Sequence, residues 1–366
     1  MNDAMIVETR YQDLYTPDDP FTMESGATLP NVTVAYETYG TLDASGTNAV
    51  LVCHALTGSA HAAGLHPGES TPGGWWDSFI GPGKPLDTER FFVICSNFLG
   101  SCYGTTGPLS IDPSTGRPYG MTFPQMTVRD MVTVQKRLID QLGVRQLRTV
   151  IGGSLGGMQV LEWGVMFPDS VASLIPIATS AQHSAWSVGL NDIGRQAIMN
   201  DPDWRGGEYH GHGQPRRGLS LARQVAMMSY RSEREFAGRF GRAKRQENGD
   251  RFDPENIFQV ESYLRHQGKK LVDRFDANTY LYITRAMDLH DVAYGRGALP
   301  DVLASVRHPA LCIGIDSDIL YPAHEQRSIA EALLSAEYRE IASPYGHDAF
   351  LIEFEQMASF VREFLR

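Results

Sequence analysis

The chain is 366 residues long, 42% hydrophobic and 20% charged. Its 36 glycines and 20 prolines make about 15% of the residues, close to the usual ~12%, which excludes collagen-like and low-complexity disordered classes. A formal charge of −11, from 32 Lys and Arg against 43 Asp and Glu, argues against a nucleic-acid or anionic-membrane partner, because phosphate binding draws on counterion release by cationic side chains.

The first residues, Met1-Asn2-Asp3-Ala4-Met5, are polar and acidic with no apolar run behind them, and nowhere do 18 uncharged apolar residues follow one another. Four cysteines (Cys53, Cys95, Cys102 and Cys312) without a C-x-x-C pair read as reduced thiols. Together these features point to a cytoplasmic protein. In chain order, residues 31–40 and 48–53 are expected to be strands. In the first, Val32, Val34 and Tyr36 alternate with polar neighbours, and Ala49-Val50-Leu51-Val52-Cys53 is a continuous apolar run. Phe91-Phe92-Val93-Ile94-Cys95 reads as a third strand. Residues 127–142 carry Val128, Met131, Val132, Val134, Leu138 and Leu142 at helical spacing. Thr149-Val150-Ile151 is a short strand that runs into a glycine-flanked serine and a helix from Gly157 to Phe167. Residues 171–178 return to strand.

Alternating strands and helices call for a parallel sheet covered on both faces, an α/β fold. The alternation stops from about residue 184 to 300, where helix-like stretches such as 219–231 and 254–267 replace it, with turn clusters at 201–215 between them. The pattern resumes with the strand Leu311-Cys312-Ile313-Gly314-Ile315, a helix near 323–334, a strand at 338–342 and a terminal helix from about Ala349. The division expected is a discontinuous core of residues 1–183 and 301–366, with a helical insertion at 184–300.

Gly152-Gly153-Ser154-Leu155-Gly156 matches G-x-S-x-G. The string alone is weak, but a strand before it and a helix after it are the context that a nucleophile elbow requires. A serine hydroxyl needs a base, and the base needs an orienting acid. In this fold the order is serine, acid, histidine. His347, in a loop between a late strand and the last helix, is the best base of the 11 histidines. Asp316 and Asp318 both follow the strand at 311–315, and Asp318 is preferred because Pro322 opens the next helix four residues on. The oxyanion donors expected are the amide of Leu155, directly after the nucleophile, and that of Leu56 in the loop His54-Ala55-Leu56-Thr57-Gly58. No metal site is expected: His54 and His61 lie in a loop without the i, i+4 helical spacing of a zincin, His210-Gly211-His212 is no better, and an acidic cluster is missing.

Gly152-Gly153-Ser154-Leu155-Gly156-Gly157-Met158-Gln159 occurs with His54-Ala55-Leu56-Thr57-Gly58, Gly73-Gly74-Trp75-Trp76-Asp77, Gly81-Pro82-Gly83-Lys84-Pro85, Thr105-Thr106-Gly107-Pro108 and Gly346-His347-Asp348-Ala349-Phe350. This set resembles the homoserine O-acetyltransferases of the α/β-hydrolase superfamily, from about residue 20 to 365. The resemblance implies an α/β-hydrolase fold, with a mostly parallel central sheet and an inserted helical lid at 184–300. It implies transfer of the acetyl group of acetyl-CoA, as co-substrate and without a further cofactor, to the hydroxyl of L-homoserine through an acetyl-Ser154, on the route to methionine. It also implies that Arg223 holds the substrate carboxylate, that Asp348 holds its amine, and that the enzyme is a homodimer. Without the resemblance, Arg223 would read as a solvated helix arginine and Asp348 as a carboxylate at a helix N-terminus. The lid bases Arg231, Arg234, Arg239, Arg242, Lys244 and Arg245 fit a solvated helical face better than CoA phosphates. Succinyl-using relatives resemble this chain less two residues after the acid, where they carry an arginine; here Leu320 offers a distal carboxylate no partner, which favours acetyl. Succinyl-CoA as donor, L-serine as acceptor and a serine esterase on the same fold are the alternatives.

Overall fold

The structure is a computed structural model that describes residues 5–70, 73–247 and 249–366; the N-terminal reading at Met1–Ala4 lies outside the described residues. Eight strands form the central sheet: β1 (Arg10–Tyr15), β2 (Val32–Tyr39), β3 (Ala49–Cys53), β4 (Phe92–Ser96), β5 (Leu147–Gly153), β6 (Leu174–Ile177), β7 (Ala310–Ile315) and β8 (Ala336–Ile341). They lie in the order β1-β2-β4-β3-β5-β6-β7-β8. β2 is antiparallel to both β1 and β4, and from β4 to β8 every pairing is parallel. Every residue of β3 is buried, as expected of a parallel strand covered on both faces.

Alternate side chains of the sheet feed two cores. Val50, Val52, Ile151 and Ile175 pack with Trp76, Phe79 and Met357 on one face. On the other, Ala49, Leu51, Val150 and Leu174 pack with Val132, Trp163 and Ile329, which belong to the helices α1 (Val128–Gln141), α2 (Leu155–Met166) and α9 (Ala323–Ala332). α1 starts where the Thr127 side chain accepts from the Asp130 N–H while Asp130 reaches back to the Thr127 N–H, a capping box. Between β6 and β7 lie α3 (Ala185–Met199), α4 (Arg216–Tyr230), α5 (Glu233–Phe240), α6 (Gln259–Val272), α7 (Ala277–Asp288) and α8 (Leu299–Ser305). A third core joins Ile198, Leu219, Leu281 and Ile283 of these helices to Leu56, Leu155, Met158, Leu320 and Tyr321 of the sheet domain.

Two expected boundaries need correcting, and some elements were not anticipated. β1 was not anticipated, because only its last two residues are buried and the alternation is faint. α2 begins at Leu155 rather than Gly157, since the turn at Ser154 leads straight into the helix. The terminal helix does not start at Ala349: a 3₁₀ turn at Gly346–Leu351 comes first, Ile352 breaks the run with φ −129°, and α10 spans Phe354–Phe364. α3 and α7 carry no clean amphipathic pattern; α7 is buried at ten of its twelve positions and α3 leaves Trp186 and Ile193 exposed. Among the described residues no helix is long and apolar enough to cross a membrane.

Candidate active site

Ser154 follows β5 and caps α2 with φ 59° and ψ −126°, a strained conformation for a residue with a Cβ. Its N–H donates to the Ile177 carbonyl at 3.0 Å, and its carbonyl accepts from the Thr179 hydroxyl at 2.8 Å. A Cβ on Gly152 or Gly156 would run into the Cys53 carbonyl oxygen, so the flanking glycines are what allow β3 and the elbow to approach.

β7 and β8 deliver the other two groups to the same edge of the sheet. His347, in the 3₁₀ turn after β8, points Nδ1 at Asp318 Oδ2, 2.7 Å away. Asp318 Oδ1 accepts from the N–H groups of Leu320 at 2.8 Å and Tyr321 at 3.0 Å, so the carboxylate is locked. Asp316 faces elsewhere and accepts from the Ser343 N–H at 2.9 Å. Asp318 and His347 are both buried, as is Ser154. Burial alone would depress the His347 pKa, but the Asp318 charge and hydrogen bond outweigh it and hold the imidazole above its ordinary value. Deprotonation is then required before His347 can accept a proton, so any rate that depends on it as a base is expected to fall as pH drops through a midpoint above ~6.5. A pH–rate profile of acyl-enzyme formation checks this, and Asp318→Asn should move the midpoint down.

The 54–58 loop continues from β3, and its turn is closed by the Gly58 N–H donating to the Ala55 carbonyl at 2.9 Å. Leu56 sits inside that turn. Leu155 is the first residue of α2, whose N-terminal dipole favours negative charge.

Arg223 lies in α4 with its guanidinium over the Tyr230 ring, 5.1 Å from the centroid. Tyr230 in turn stands 5.8 Å from the His347 ring. Asp348, beside His347, is paired with Arg231, whose Nε lies 3.0 Å from Oδ2. Burial raises the Asp348 pKa against the pull of Arg231 and Arg223. Arg231 therefore points into the site, a correction to its reading as part of a solvated face. Arg239, also on that face, lies over Phe240 and Tyr263. Ser154 and Leu320 share a cavity of about 20 Å³ with Leu190, Ala226 and Met287. His183 lines the same cavity, with Nε2 3.1 Å from the Tyr321 hydroxyl and Nδ1 3.4 Å from Asp288, which Arg195 pairs at 2.6 Å. Sequence reasoning missed Tyr230 and this His183 group, neither of which carries a motif.

His54 bonds its own loop, Nδ1 to the Ala55 carbonyl at 2.9 Å, and stacks on Phe98. His61 joins not His54 but Glu37 and His66, a trio of metal-ligand type among the described residues. Glu37 already accepts from Thr9 and His66 at one oxygen and from Tyr39 and His61 at the other, at 2.8–3.0 Å. Burial would raise the Glu37 pKa, but these hydrogen bonds outweigh it and lower it. The buried Glu37 carboxylate thus has its hydrogen-bonding capacity filled by these four side chains, while His61 and His66 are half-buried. His210 stacks beside Tyr209, and His212 is exposed.

A family model described as alpha/beta hydrolase fold matches residues 48–354. The chain is 52% identical to the homoserine O-acetyltransferase of Carboxydothermus hydrogenoformans over 349 residues, 94% of this chain and 92% of the relative. Among solved structures, homoserine O-acetyltransferase from Bacillus anthracis superposes with a TM-score of 0.92 at 33% identity, covering 99% of this chain and 98% of that one. Esterase E22 superposes with a TM-score of 0.89 at 32% identity, covering 98% of this chain and 100% of that one.

Proposed function

Because this chain belongs to the homoserine O-acetyltransferase family of the α/β-hydrolase fold, we propose that Ser154, His347 and Asp318 are the groups through which it passes an acetyl unit from donor to acceptor. The chain is an acyltransferase that moves the acetyl group of acetyl-CoA to the hydroxyl of L-homoserine, giving O-acetyl-L-homoserine for methionine biosynthesis. The observation that carries the mechanism is the 2.7 Å contact between His347 and Asp318 at the same sheet edge as a strained elbow serine.

In the first half-reaction His347 Nε2 takes the Ser154 hydroxyl proton while Oγ attacks the thioester carbonyl. The Leu56 and Leu155 amides receive the oxyanion, the C–S bond breaks, and the imidazolium returns its proton to the departing CoA thiolate. In the second, the homoserine hydroxyl gives His347 its proton and attacks the acetyl carbon, and Ser154 leaves with the proton restored. Arg223 takes the homoserine carboxylate in a bidentate grip. The homoserine amine shares Asp348 with Arg231. Removing Arg223 leaves the first half-reaction, which involves no homoserine, largely untouched. For Arg223→Ala, stopped-flow release of CoA thiol should stay within about threefold of wild type, while the homoserine KM rises at least ~10-fold, the loss expected of a charge-assisted pair.

The helices of 184–300 form the lid over this chemistry. Their contribution is to exclude water, since the nearest competing fate of an acyl-serine is the hydrolysis that an esterase performs. The cavity of about 20 Å³ beside Ser154 suits an acetyl methyl and is too small for a succinyl chain, and Leu320 at its wall offers a distal carboxylate no partner. Wild-type turnover with succinyl-CoA is therefore expected to be at least ~10-fold below that with acetyl-CoA, and Leu320→Arg should narrow the gap. Competition assays with both thioesters check it, with L-serine in parallel as acceptor.

Exposed Trp186 and Ile193 on α3 and Leu221 and Met228 on α4, each pair seven residues apart, give the lid an apolar face suited to a second copy, which supports a homodimer. The four free cysteines, three of them buried, suit a reducing cytoplasm.

A further inference from the structure

The turn that presents the Leu56 amide is braced from the lid by one side chain. Arg274, between α6 and α7, donates from one guanidinium nitrogen to the Thr57 carbonyl at 2.7 Å and to the Tyr103 hydroxyl at 2.7 Å. Among the described residues it is the one side chain of 184–300 that hydrogen-bonds residues 54–60. The Thr57 carbonyl and the Leu56 N–H belong to the same turn, closed by the Gly58 N–H on the Ala55 carbonyl, so a bond that fixes Thr57 restrains that turn.

The strut stands on rigid ground. The Gln214 amide donates to the Val272 and Phe275 carbonyls and accepts from the Ala277 N–H, Phe275 is buried against Tyr103, and Asp276 caps α7. On the far side, Asn97 accepts from the Ala60 N–H at 2.8 Å and donates to the Tyr103 carbonyl at 2.8 Å, while the Trp75 indole N–H donates to the Ser59 carbonyl. The loop is thus clamped between a sheet-side pair and a lid-side arginine.

We propose that Arg274 is a positioning residue for the oxyanion hole, coupling a seated lid to the Leu56 amide. A donor displaced from the oxyanion by even a fraction of an ångström loses much of its worth, because the hole works by being set before charge develops. The inference rests on Leu56 serving as an oxyanion donor. Both half-reactions pass through a tetrahedral intermediate, so both depend on Arg274.

The test is Arg274→Ala and Arg274→Lys beside the wild type, each assayed with acetyl-CoA and with a short acetyl thioester of N-acetylcysteamine. Arg274→Ala is expected to slow acetylation of Ser154 and transfer to homoserine alike, by about 10- to 100-fold, with the homoserine KM within twofold and the same loss on both thioesters. Arg274→Lys, which keeps one cationic donor for the Thr57 carbonyl, should recover most of the rate. Thermal melts matched to wild type keep a folding defect from imitating the effect. An unchanged rate in Arg274→Ala overturns the proposal, and so does a loss that appears with acetyl-CoA but not with the short thioester, which would make the guanidinium a CoA contact. A wild type that never acetylates Ser154 would instead sink the reading of the site on which the proposal stands.

Discussion

Asp318→Asn is expected to lower kcat by about 10⁴-fold while the protein stays folded, the loss that a wrong histidine tautomer carries in a Ser-His-Asp triad. The reason lies in how Asp318 is held. Its Oδ1 accepts from the N–H groups of Leu320 and Tyr321, so an amide oxygen must take that position, because an amide nitrogen there would set donor against donor. The Asn nitrogen then faces His347 Nδ1 in place of Oδ2. It can only donate, so the imidazole proton moves to Nε2, where it blocks acceptance of the serine proton. Steady-state assays at saturating acetyl-CoA and homoserine, with circular dichroism to verify the fold, check this. A loss below tenfold would mean that another group orients His347.

Ser154→Ala is expected to reduce turnover by about 10⁶-fold, since removing a triad nucleophile removes the covalent route altogether. The alanine keeps a Cβ at φ 59°, so the elbow strain is unchanged, and no hydrogen bond of the Ser154 hydroxyl holds the described structure together. Thermal stability should therefore move little, and the variant should still bind homoserine through Arg223. Residual turnover within 100-fold of wild type would point to direct attack of homoserine on the thioester, without an acyl-enzyme.

Local signals made the elbow legible in the sequence. The glycines that let Cys53 and α2 approach stand within two residues of Ser154, and the strand and helix on either side announce the turn. The order of strands likewise brought His347 and an aspartate to the sheet edge. The sequence favoured Asp318 over Asp316 only through the proline four residues on, because both follow β7; the structural difference is a turn that sends Asp316 to the Ser343 amide and Asp318 to His347. Arg231 was misplaced for a similar reason. Its inward direction depends on the packing of Gly346 against the Arg231 backbone, where a Cβ would collide, a contact 115 residues distant in the chain. α7 escaped because a helix buried nearly all round shows no periodic polar face. The Glu37, His61 and His66 cluster was invisible because its carboxylate comes from β2 and its imidazoles from the loop after β3.

The acetylated Ser154 is the intermediate on which the whole mechanism depends. Mixing the wild type with acetyl-CoA in the absence of homoserine, quenching in acid and mapping the peptides by mass spectrometry should place one acetyl group on Ser154, in step with one equivalent of released CoA, and adding L-homoserine should remove it as O-acetyl-L-homoserine appears. Full turnover to O-acetyl-L-homoserine with no acetyl group ever on Ser154, or with the label on another residue, would contradict the mechanism.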